Sequence, residues 1–293
     1  EGEARWPYTM PAWITALAAR KPKGCTWPKI SIVTPSFNQG EFIEETILSV
    51  LNQNYPNLEY AIVDGGSTDR TPEILQQYRE HIATIIIESD RGQSDAINKG
   101  FARSTGELLL WLNSDDLLAP GALYAAALRY LKDDCDLVAG ICLVHAEGQI
   151  IAMRQPRVRQ SDFTVEALCD VANLWASGHF FFQPEVLFSR RLWQAAGGKL
   201  DESIHYAMDH DLWLRFAKQG GRLAVIGWPI ALFRQHSAQK TANRLASVRD
   251  LMAVTERYHC IAVSDVRQHK IQQKVTQWMR SPDRSIVLLG EGW

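Results

Sequence analysis

The sequence lacks the features that mark membrane-spanning, disulfide-stabilised and nucleic-acid-binding proteins. No apolar run reaches the roughly 20 residues that a transmembrane helix needs, and the apolar residues 108–112 end at Asn113. The 5 cysteines are an odd number without a C-x-x-C pair, which argues against a disulfide framework and a zinc ribbon. The 31 basic and 33 acidic residues give a net charge of −2, so nucleic acid is not an expected partner.

Two common nucleotide-binding signatures are also missing. The chain contains no G-x-x-x-x-G-K-[ST] motif and no G-x-G-x-x-G motif after its first predicted strand, which counts against P-loop NTPases and dinucleotide-dependent dehydrogenases. Glu1 and Glu3 stand where a signal peptide would carry positive charge. We therefore expect a cytoplasmic protein, with peripheral contact to the inner face of the cytoplasmic membrane as the alternative.

Hydrophobic patterning predicts an α/β fold. The 293 residues are 46% hydrophobic and 22% charged, as in globular proteins with a sizeable core. From residue 29 onward, short apolar runs alternate with segments of helical periodicity, which predicts βαβ units and a mostly parallel central sheet flanked by helices. The predicted strands are 30–34, 58–63, 83–87 and 107–112, and Pro35 is expected to end the first of them. The predicted helices are 41–52, 71–79, 94–103, 120–131, 162–171 and 209–218, with amphipathic helices within 244–279.

Polar clusters follow three of the predicted strands. They occupy residues 34–38, 64–69 and 113–116, at the carboxyl ends of the first, second and fourth strands. Ligands of open α/β sheets bind in the crevice beyond the carboxyl ends of the strands. We therefore expect the three clusters to converge on one cleft.

Two of these clusters contain residue types suited to a nucleotide site. Asn113-Ser114-Asp115-Asp116 offers adjacent carboxylates for a hard cation such as Mg²⁺ or Mn²⁺. A solvated turn in which Asp116 caps a helix would explain the same residues. In the segment 64–69, the glycines allow the backbone to approach a ligand, and Asp64 can accept hydrogen bonds from a base or a ribose. An ordinary turn is the alternative there.

Five motifs occur in an order that is typical of one enzyme family. They read TPSFN at 34–38, VDGGSTD at 63–69, GQSDAINKG at 92–100, NSDD at 113–116 and MDHDLWLR at 208–215. With these motifs, residues 29–236 resemble the family 2 glycosyltransferases. Each motif alone is a weak signal, whereas five in register are specific.

The resemblance implies a GT-A fold and an inverting, metal-dependent glycosyltransferase. Such an enzyme moves one sugar from a nucleotide-sugar, here a UDP-sugar, to a hydroxyl of a glycan or a lipid-linked saccharide, with Mn²⁺ or Mg²⁺ as cofactor. The implied organisation is an N-terminal extension 1–28, a GT-A domain 29–236 with a nucleotide-binding half 29–118 and an acceptor half 119–236, and a helical C-terminal segment 237–293. Because the chain shows no transmembrane helix and no Q-x-x-R-W motif after the base, we expect non-processive transfer.

The resemblance also implies roles for individual residues. Asp209 would be the general base, and Asp115 and His236 would hold the metal. The predicted acceptor contacts are Trp175, His179 and Asp116. The predicted nucleotide-sugar contacts are Thr34, Pro35, Ser36, Asn38, Asp64, Gly65, Asp90, Gly92, Asp95, Asn98, Asn113, Ser114 and Asp115.

Two departures from the family pattern keep other hypotheses open. Asn113 stands at the first position of the DXD motif, where a neutral side chain would weaken metal binding, and Met208 replaces the glutamate beside the base. A catalytically weak homologue that acts as a nucleotide- or sugar-binding module is therefore the second hypothesis. For single residues the alternatives are helix capping by Asp209 and core packing by Trp175 and His179. A nucleotidyltransferase would need a basic, glycine-rich loop that residues 34–38 do not offer.

Overall fold

One mixed sheet of nine strands forms the centre of the part of the chain that the computed structural model describes, residues 13–146, 148–175, 177–237, 239–240 and 243–259. The strand order is β3-β2-β1-β4-β8-β6-β9-β5, with β7 paired to β6. The strands are β1 Ile30–Ser36, β2 Leu58–Asp64, β3 Thr84–Ile87, β4 Leu108–Trp111, β5 Leu117–Leu118, β6 Leu137–Ala146, β7 Gln149–Arg154, β8 Val186–Ser189 and β9 Leu223–Arg234.

The first four strands are those that the sequence predicts, and they pair in parallel. Strand β1 does not stop at Pro35 but continues to Ser36. The backbone of Val33 faces β4, where Leu112 N–H donates to Val33 O at 2.9 Å, so the nitrogen of Pro35 faces the same side. Because β4 pairs only with residues 30–33, the missing N–H of Pro35 costs no ladder hydrogen bond.

The remaining strands make the sheet mixed rather than mostly parallel. Antiparallel pairing joins β4 to β8, β8 to β6, β6 to β7 and β9 to β5, whereas β6 and β9 are parallel. The α/β class is confirmed, but the sequence pattern predicts only a strand-like run before His236 in this half. Strands as short as β5 and β8 leave too few residues for a periodic signal.

Helices cover both faces of the sheet. They are α1 Trp13–Ala18, α2 Ile43–Leu51, α3 Thr71–Gln77, α4 Gln93–Ala102, α5 Ala122–Lys132, α6 Val165–Cys169, α7 Arg190–Ala195, α8 Met208–Lys218 and α9 Arg244–His259. The predicted helix 162–171 is shorter than expected, because Thr164 caps α6 by accepting the N–H of Ala167. Helix α9 confirms the start of the predicted C-terminal helices; residues 260–279 lie outside the described part of the chain.

Two apolar clusters, one on each face of the sheet, form the core. Neighbouring residues of β1 alternate between them, since Ile32 packs with α2, α3 and α5 while Val33 packs with α4, α6 and α8. Burial on both faces explains the continuous apolar runs of the central strands. Helix α9 braces α8, because Tyr258 Oη donates to Asp211 Oδ1 at 3.0 Å. Among the described residues, no helix has the length and hydropathy needed to cross a bilayer.

Close packing of α4 on β1 requires glycine at position 100. A Cβ on Gly100 would lie 2.8 Å from Cγ2 of Val33 and closer still to Cγ1. We expect Gly100→Ala to destabilise the protein by about 1–3 kcal/mol, although alanine is favoured over glycine in helices. Urea unfolding measures this change. The matched control is Gly227→Ala in β9, where a Cβ would meet nothing within 4 Å; equal stability of the two variants would contradict the prediction.

Candidate functional site

A cleft of about 530 Å³ opens at the carboxyl ends of β1, β2 and β4. Its volume is in the range of small-molecule sites. Of the predicted nucleotide-sugar residues, the structure brings Pro35, Ser36, Gly65, Asp90, Gly92, Asn113, Ser114 and Asp115 to its wall. The wall also contains Phe37, Gln39, Ser89, Gln93, Ala96, His205, Gln239 and Lys240. The three polar clusters thus meet at one cleft, as expected from their positions at the carboxyl ends of the predicted strands.

Three residues predicted to bind the nucleotide instead hold the loops behind the cleft. Thr34 is buried, and its Oγ1 lies 3.1 Å from a tyrosine hydroxyl of β2. Asn38, whose φ is +52°, accepts the N–H of Thr68 at 2.9 Å. Asp64 is 0% exposed and accepts the hydroxyl of Ser67 at 2.6 Å. Hydrogen bonds within the protein engage all three side chains, and their contact with a nucleotide stays a prediction.

The turn into α4 forms one wall of the cleft. Gly92 has a φ of +111°, a backbone conformation that side chains disfavour. Its N–H donates to Asp90 Oδ1 at 2.8 Å. Burial raises the pKa of Asp90 above its ordinary value. Gln93, the next residue after Gly92 and the first of α4, also lines the cleft.

Asp95 and Asn98 support this wall from behind rather than lining it. Asp95 accepts the backbone N–H of Arg91 at 3.0 Å, and the Arg91 guanidinium lowers the pKa of Asp95 to about 2. Asn98 Oδ1 accepts the N–H of Leu200 at 2.7 Å and so ties α4 to the loop that leads to α8. Neither side chain is among the described residues that line the cleft, and their contact with a nucleotide-sugar stays a prediction.

The side-chain amide of Asn113 makes hydrogen bonds to three side chains of the protein. Its Oδ1 accepts from Gln93 Nε2 at 2.7 Å. Its Nδ2 donates to Asp116 Oδ2 and to Gln183 Oε1, both at 3.3 Å. Gln183 in turn donates to the backbone oxygen of Trp111 at 2.6 Å. An aspartate at position 113 would offer no donor to these partners.

Asp115 and His236 lie together in the cleft region, as predicted for the two metal ligands. Asp115 Oδ2 is 3.1 Å from His236 Nε2, and the imidazole packs 4.5 Å from the ring of Phe42. A carboxylate beside an imidazole is a donor set that suits Mn²⁺ or a similar cation. Within the described ranges, no cluster of three or more His, Cys, Asp or Glu side chains could hold a metal. The pair therefore fits an ion that takes its other ligands from substrate and water.

Arg234, at the end of β9, fixes the turn that bears Asp115. Its N–H donates to Asp116 Oδ1 at 3.0 Å, and its Nε donates to the backbone oxygen of Asp115 at 2.9 Å. Its Nη2 pairs with Glu45 at 2.7 Å. Asp116 is 1% exposed, and burial beside Asp115 raises its pKa well above the ordinary value. The side chain of Asp116 is covered by the protein, and its predicted acceptor contact stays a prediction.

Asp209 is the second residue of α8 and does not cap that helix. The N-cap is Ala207, which makes no side-chain cap bond, and Asp209 Oδ1 accepts only the N–H of the next residue, His210, at 2.8 Å among the contacts of the described part. Burial raises the pKa of Asp209 to about 6, while the nearby charge of Lys240 opposes the rise. Met208 packs in the apolar core and supplies no second carboxylate.

Trp175 and His179, the predicted acceptor contacts, are not among the described residues that line this cleft, so their role stays a prediction. Trp175 is stacked on Phe180 with ring centroids 5.8 Å apart and packs against the apolar cluster under α8. His179 Nε2 lies 3.6 Å from Asp162 Oδ2. Core packing, the alternative that the sequence left open, accounts for Trp175.

Several residues of the site were not predicted from the sequence, and among them are four polar side chains that the fold brings to the cleft region. They are Gln93, Gln183, His205 and Lys240. Gln93 lies inside the third motif, and Lys240 follows His236 by four residues, so both had a positional signal. Gln183 and His205 had none, because only the fold brings them to the cleft region.

The hydrogen bonds around Asn113 predict the effect of replacing it by aspartate, the residue expected at the first position of the DXD motif. Asn113→Asp removes both donors and places a carboxylate beside Asp116 Oδ2 and Gln183 Oε1. We expect a loss of about 2–4 kcal/mol of stability in urea unfolding and no gain in Mn²⁺ affinity by calorimetry. Asn57→Asp, on an exposed loop, is the control for the change of charge. Wild-type stability with tighter Mn²⁺ binding in Asn113→Asp would refute this interpretation.

Curated relatives of the chain include several bacterial glycosyltransferases. An uncharacterized glycosyltransferase of Rickettsia typhi is 29% identical over 195 residues, which are 65% of this chain and 59% of the relative. A putative teichuronic acid biosynthesis glycosyltransferase of Bacillus subtilis, TuaG, is 44% identical over 92 residues, 30% of this chain and 36% of the relative. The chain thus spans less than two thirds of the length of these two relatives.

Solved structures share the fold at low sequence identity. S. aureus TarS 1–349 in complex with UDP-GlcNAc has a TM-score of 0.60 and 17% identity, covering 89% of this chain and 83% of that one. The mannosyltransferase PcManGT of Pyrobaculum calidifontis, in complex with GDP-Man and Mn²⁺, has a TM-score of 0.57 and 18% identity, covering 94% and 89%. These similarities confirm the predicted GT-A fold.

A family model identifies the group to which the protein belongs. The model described as "Glycosyl transferase family 2" matches residues 31–190, from β1 to the first residue of α7. The match covers more than half of the 293 residues. The resemblance predicted from the five motifs is thereby confirmed, and the chain belongs to glycosyl transferase family 2, a family of transferases.

Proposed function

We propose that the protein transfers one sugar from a nucleotide-sugar to a hydroxyl of a glycan or a lipid-linked saccharide. The observation that carries this proposal is one cleft that combines a carboxylate–imidazole pair, Asp115 and His236, with the turn into α4. Asp209, the proposed base, follows the cleft residue His205 by four positions, at the start of α8. A direct displacement requires a donor site and a base close together.

A UDP-sugar is the proposed donor. The cleft volume of about 530 Å³ suits a ligand of this size. A structure of TarS contains UDP-GlcNAc and a structure of PcManGT contains GDP-Man, so the fold accommodates more than one nucleotide. The motif resemblance favours UDP, and the names of relatives in teichuronic acid and succinoglycan biosynthesis support a surface-polysaccharide acceptor.

A divalent cation, Mn²⁺ or Mg²⁺, is proposed as cofactor. Asp115 and His236 would hold it. When bound, it would stabilise the negative charge that develops on the leaving diphosphate. The chain's own cation in the cleft, Lys240, adds a positive charge close to the donor wall.

Asp209 is the proposed general base. It would accept the proton of the acceptor hydroxyl while that oxygen forms a bond to the anomeric carbon, the bond from this carbon to the diphosphate breaks, and the nucleoside diphosphate leaves. Attack from the side opposite the leaving group inverts the anomeric centre. With a pKa near 6, Asp209 is ionised at neutral pH and is a stronger base than an ordinary aspartate.

A nucleotide- or sugar-binding module is the second candidate. Two observations favour it: Met208 leaves Asp209 without the expected neighbouring glutamate, and the Asn113 oxygen is already bonded to Gln93. Both candidates predict nucleotide binding, but only the transferase predicts turnover that depends on Asp209.

Nucleotide binding is tested by thermal unfolding with UDP, GDP, CDP or dTDP, each with and without Mn²⁺. A ligand that binds only the folded chain raises its stability by RT ln(1 + [L]/Kd), about 2.7 kcal/mol at 100 times Kd. We expect the largest, Mn²⁺-dependent shift with UDP, and loss of the Mn²⁺ dependence in Asp115→Ala. Glu80→Ala, an exposed site on the turn after α3, is the control. A shift in Asp115→Ala that still depends on Mn²⁺ would mean that Asp115 is not a ligand.

The role of Asp209 is tested by Asp209→Asn. We expect UDP binding to survive and transfer to fall at least about 100-fold, because the base is lost. In the wild type, kcat/KM should fall about tenfold per pH unit below pH 6, since protonation of the raised-pKa carboxyl removes the base. The control is Asp134→Asn, an exposed carboxylate that pairs with Arg222. Turnover that Asp209→Asn leaves unchanged would exclude Asp209 as the base.

A further inference from the structure

Strand β7 carries half of the large apolar side chains that the described residues expose. Six such side chains are 45–59% exposed, and three of them, Ile150, Ile151 and Met153, belong to this one strand of six residues. Among the described strands, β7 pairs with β6 alone, so it forms an outer edge of the sheet. A cluster of exposed apolar side chains is a sign of an interaction site.

A β-bulge turns two of these side chains to the same face of the sheet. Met153 pairs with Leu143 of β6. Ile150 pairs with His145, and Ile151 has no partner on β6 because the register shifts there by one residue. Leu143 and His145 are two residues apart and therefore share a face of the sheet. Because paired residues lie side by side, Ile150 and Met153 share that face too.

The exposed residues continue beyond β7 into a basic segment. From Ile151 to Arg159 every odd-numbered residue is exposed, whereas Pro156 and Val158 are buried. An apolar stretch thus leads directly into a positively charged one. The apolar and basic members of this exposed set form the β7 surface, which comprises Ile150, Ile151, Met153, Arg157 and Arg159.

The charge of this segment is positive, although the net charge of the whole chain is −2. Residues 149–162 contain three arginines and one acidic residue, Asp162. Asp162 accepts the N–H of Arg159 at 3.2 Å and lies 3.6 Å from His179 Nε2. The third arginine, Arg154, is not part of the β7 surface, because its guanidinium carbon lies 3.2 Å from the ring centre of Phe182.

The apolar end of the β7 surface lies at the cleft edge of the sheet. Strand β8 is antiparallel to β4 and to β6, so β6 runs in the direction of β4 and ends at the same edge, as does β9. His145 pairs with Ile150 on one side and with Arg234, which fixes the turn of Asp115, on the other. Since neighbouring strands are about 4.8 Å apart, the backbones of Ile150 and Arg234 are about 10 Å apart.

A bilayer that contains anionic lipids matches the β7 surface better than a second copy of the chain does. Interfacial binding needs apolar side chains that enter the headgroup region and basic side chains that meet negatively charged headgroups. A second copy would extend the sheet by pairing with the open edge of β7. The bulge at Ile151 disturbs such pairing, because a bulge twists an edge strand away from a neighbour.

We propose that the β7 surface docks on a bilayer that contains anionic lipids. Docking through this edge holds the cleft close to the lipid headgroups, because the apolar end of the β7 surface lies beside the end of β9. The docking itself does not depend on the proposed function. Only its use, which is to bring a lipid-linked saccharide within reach of the cleft, rests on that function.

Flotation of the full chain with lipid vesicles tests the proposal. The vesicles contain phosphatidylcholine alone or phosphatidylcholine mixed with phosphatidylglycerol. We expect binding to the anionic vesicles at about 0.1 M salt and weaker binding at about 1 M, because the screening length falls from about 10 Å to about 3 Å. Binding to the neutral vesicles should be weaker and independent of salt.

Variants separate the two parts of the β7 surface. Arg157→Gln combined with Arg159→Gln should weaken binding to the anionic vesicles by up to about 25-fold, since each basic residue contributes about fivefold. Binding to the neutral vesicles should stay the same. Ile151→Ser should weaken binding to both kinds of vesicle by about fivefold, because part of an apolar side chain no longer leaves water.

Matched controls lie at the opposite edge of the sheet. Ile87 is 52% exposed, as Ile151 is, but it ends β3, the first strand of the sheet order. Arg79 is exposed on the turn after α3. Ile87→Ser and Arg79→Gln should therefore bind both kinds of vesicle like the wild type. An equal loss in Ile151→Ser and Ile87→Ser would overturn the proposal, as would a wild type that does not bind the anionic vesicles.

Hydrogen exchange of the wild type gives a readout that needs no variant. Anionic vesicles should slow the exchange of residues 149–159 and leave that of residues 84–87 unchanged. Slow exchange of β7 without vesicles, together with a dimer in sedimentation, would assign this edge to a second copy and overturn the proposal.

Failure of the docking and failure of the proposed function are distinguishable. A chain that binds anionic vesicles through the β7 surface but transfers no sugar keeps the docking surface and loses the proposed function. A chain that transfers sugar to a soluble acceptor without binding vesicles keeps the function and overturns the docking.

Discussion

The hydrogen bonds of the Asn113 amide hold together the segments that form the cleft. Gln93 belongs to the start of α4, Gln183 to the turn before β8, and Asp116 to the turn that β9 secures. Each of these segments comes from a different part of the chain, and one amide has the two donors and the acceptor that they need. At the position where the resemblance implies the first aspartate of a DXD motif, Asn113 thus makes hydrogen bonds that an aspartate could make only in part.

Burial determines the chemistry of the charged residues near this network. Asp116 is covered by the protein, and burial raises the pKa of both Asp116 and Asp209. Asp95 differs because Arg91 pairs with it, and its pKa is low. The same side-chain type thus has a lowered pKa at Asp95, through its ion pair, and a raised pKa at Asp116 and Asp209, through burial.

Sequence reasoning recovers the features that depend on local pattern. Strands buried on both faces, such as β1 and β2, are continuous apolar runs, and their polar ends mark the cleft. Strand β8 was not predicted from the sequence, because its four residues form a strand only by pairing with β4 and β6. Asn38 and Asp64 have the right residue types for ligand contacts, but their orientation depends on loop hydrogen bonds that a sequence does not reveal.

The ion pair between Glu45 and Arg234 joins residues that are 189 positions apart in the chain. Closing a loop of this length is entropically costly, and contacts of such separation slow folding. Because Arg234 also secures the turn of Asp115, the cleft is incomplete until α2 and β9 have met. A chain in which β9 has not docked would therefore lack the turn of Asp115, and a ligand that needs this turn would bind only after α2 and β9 have met.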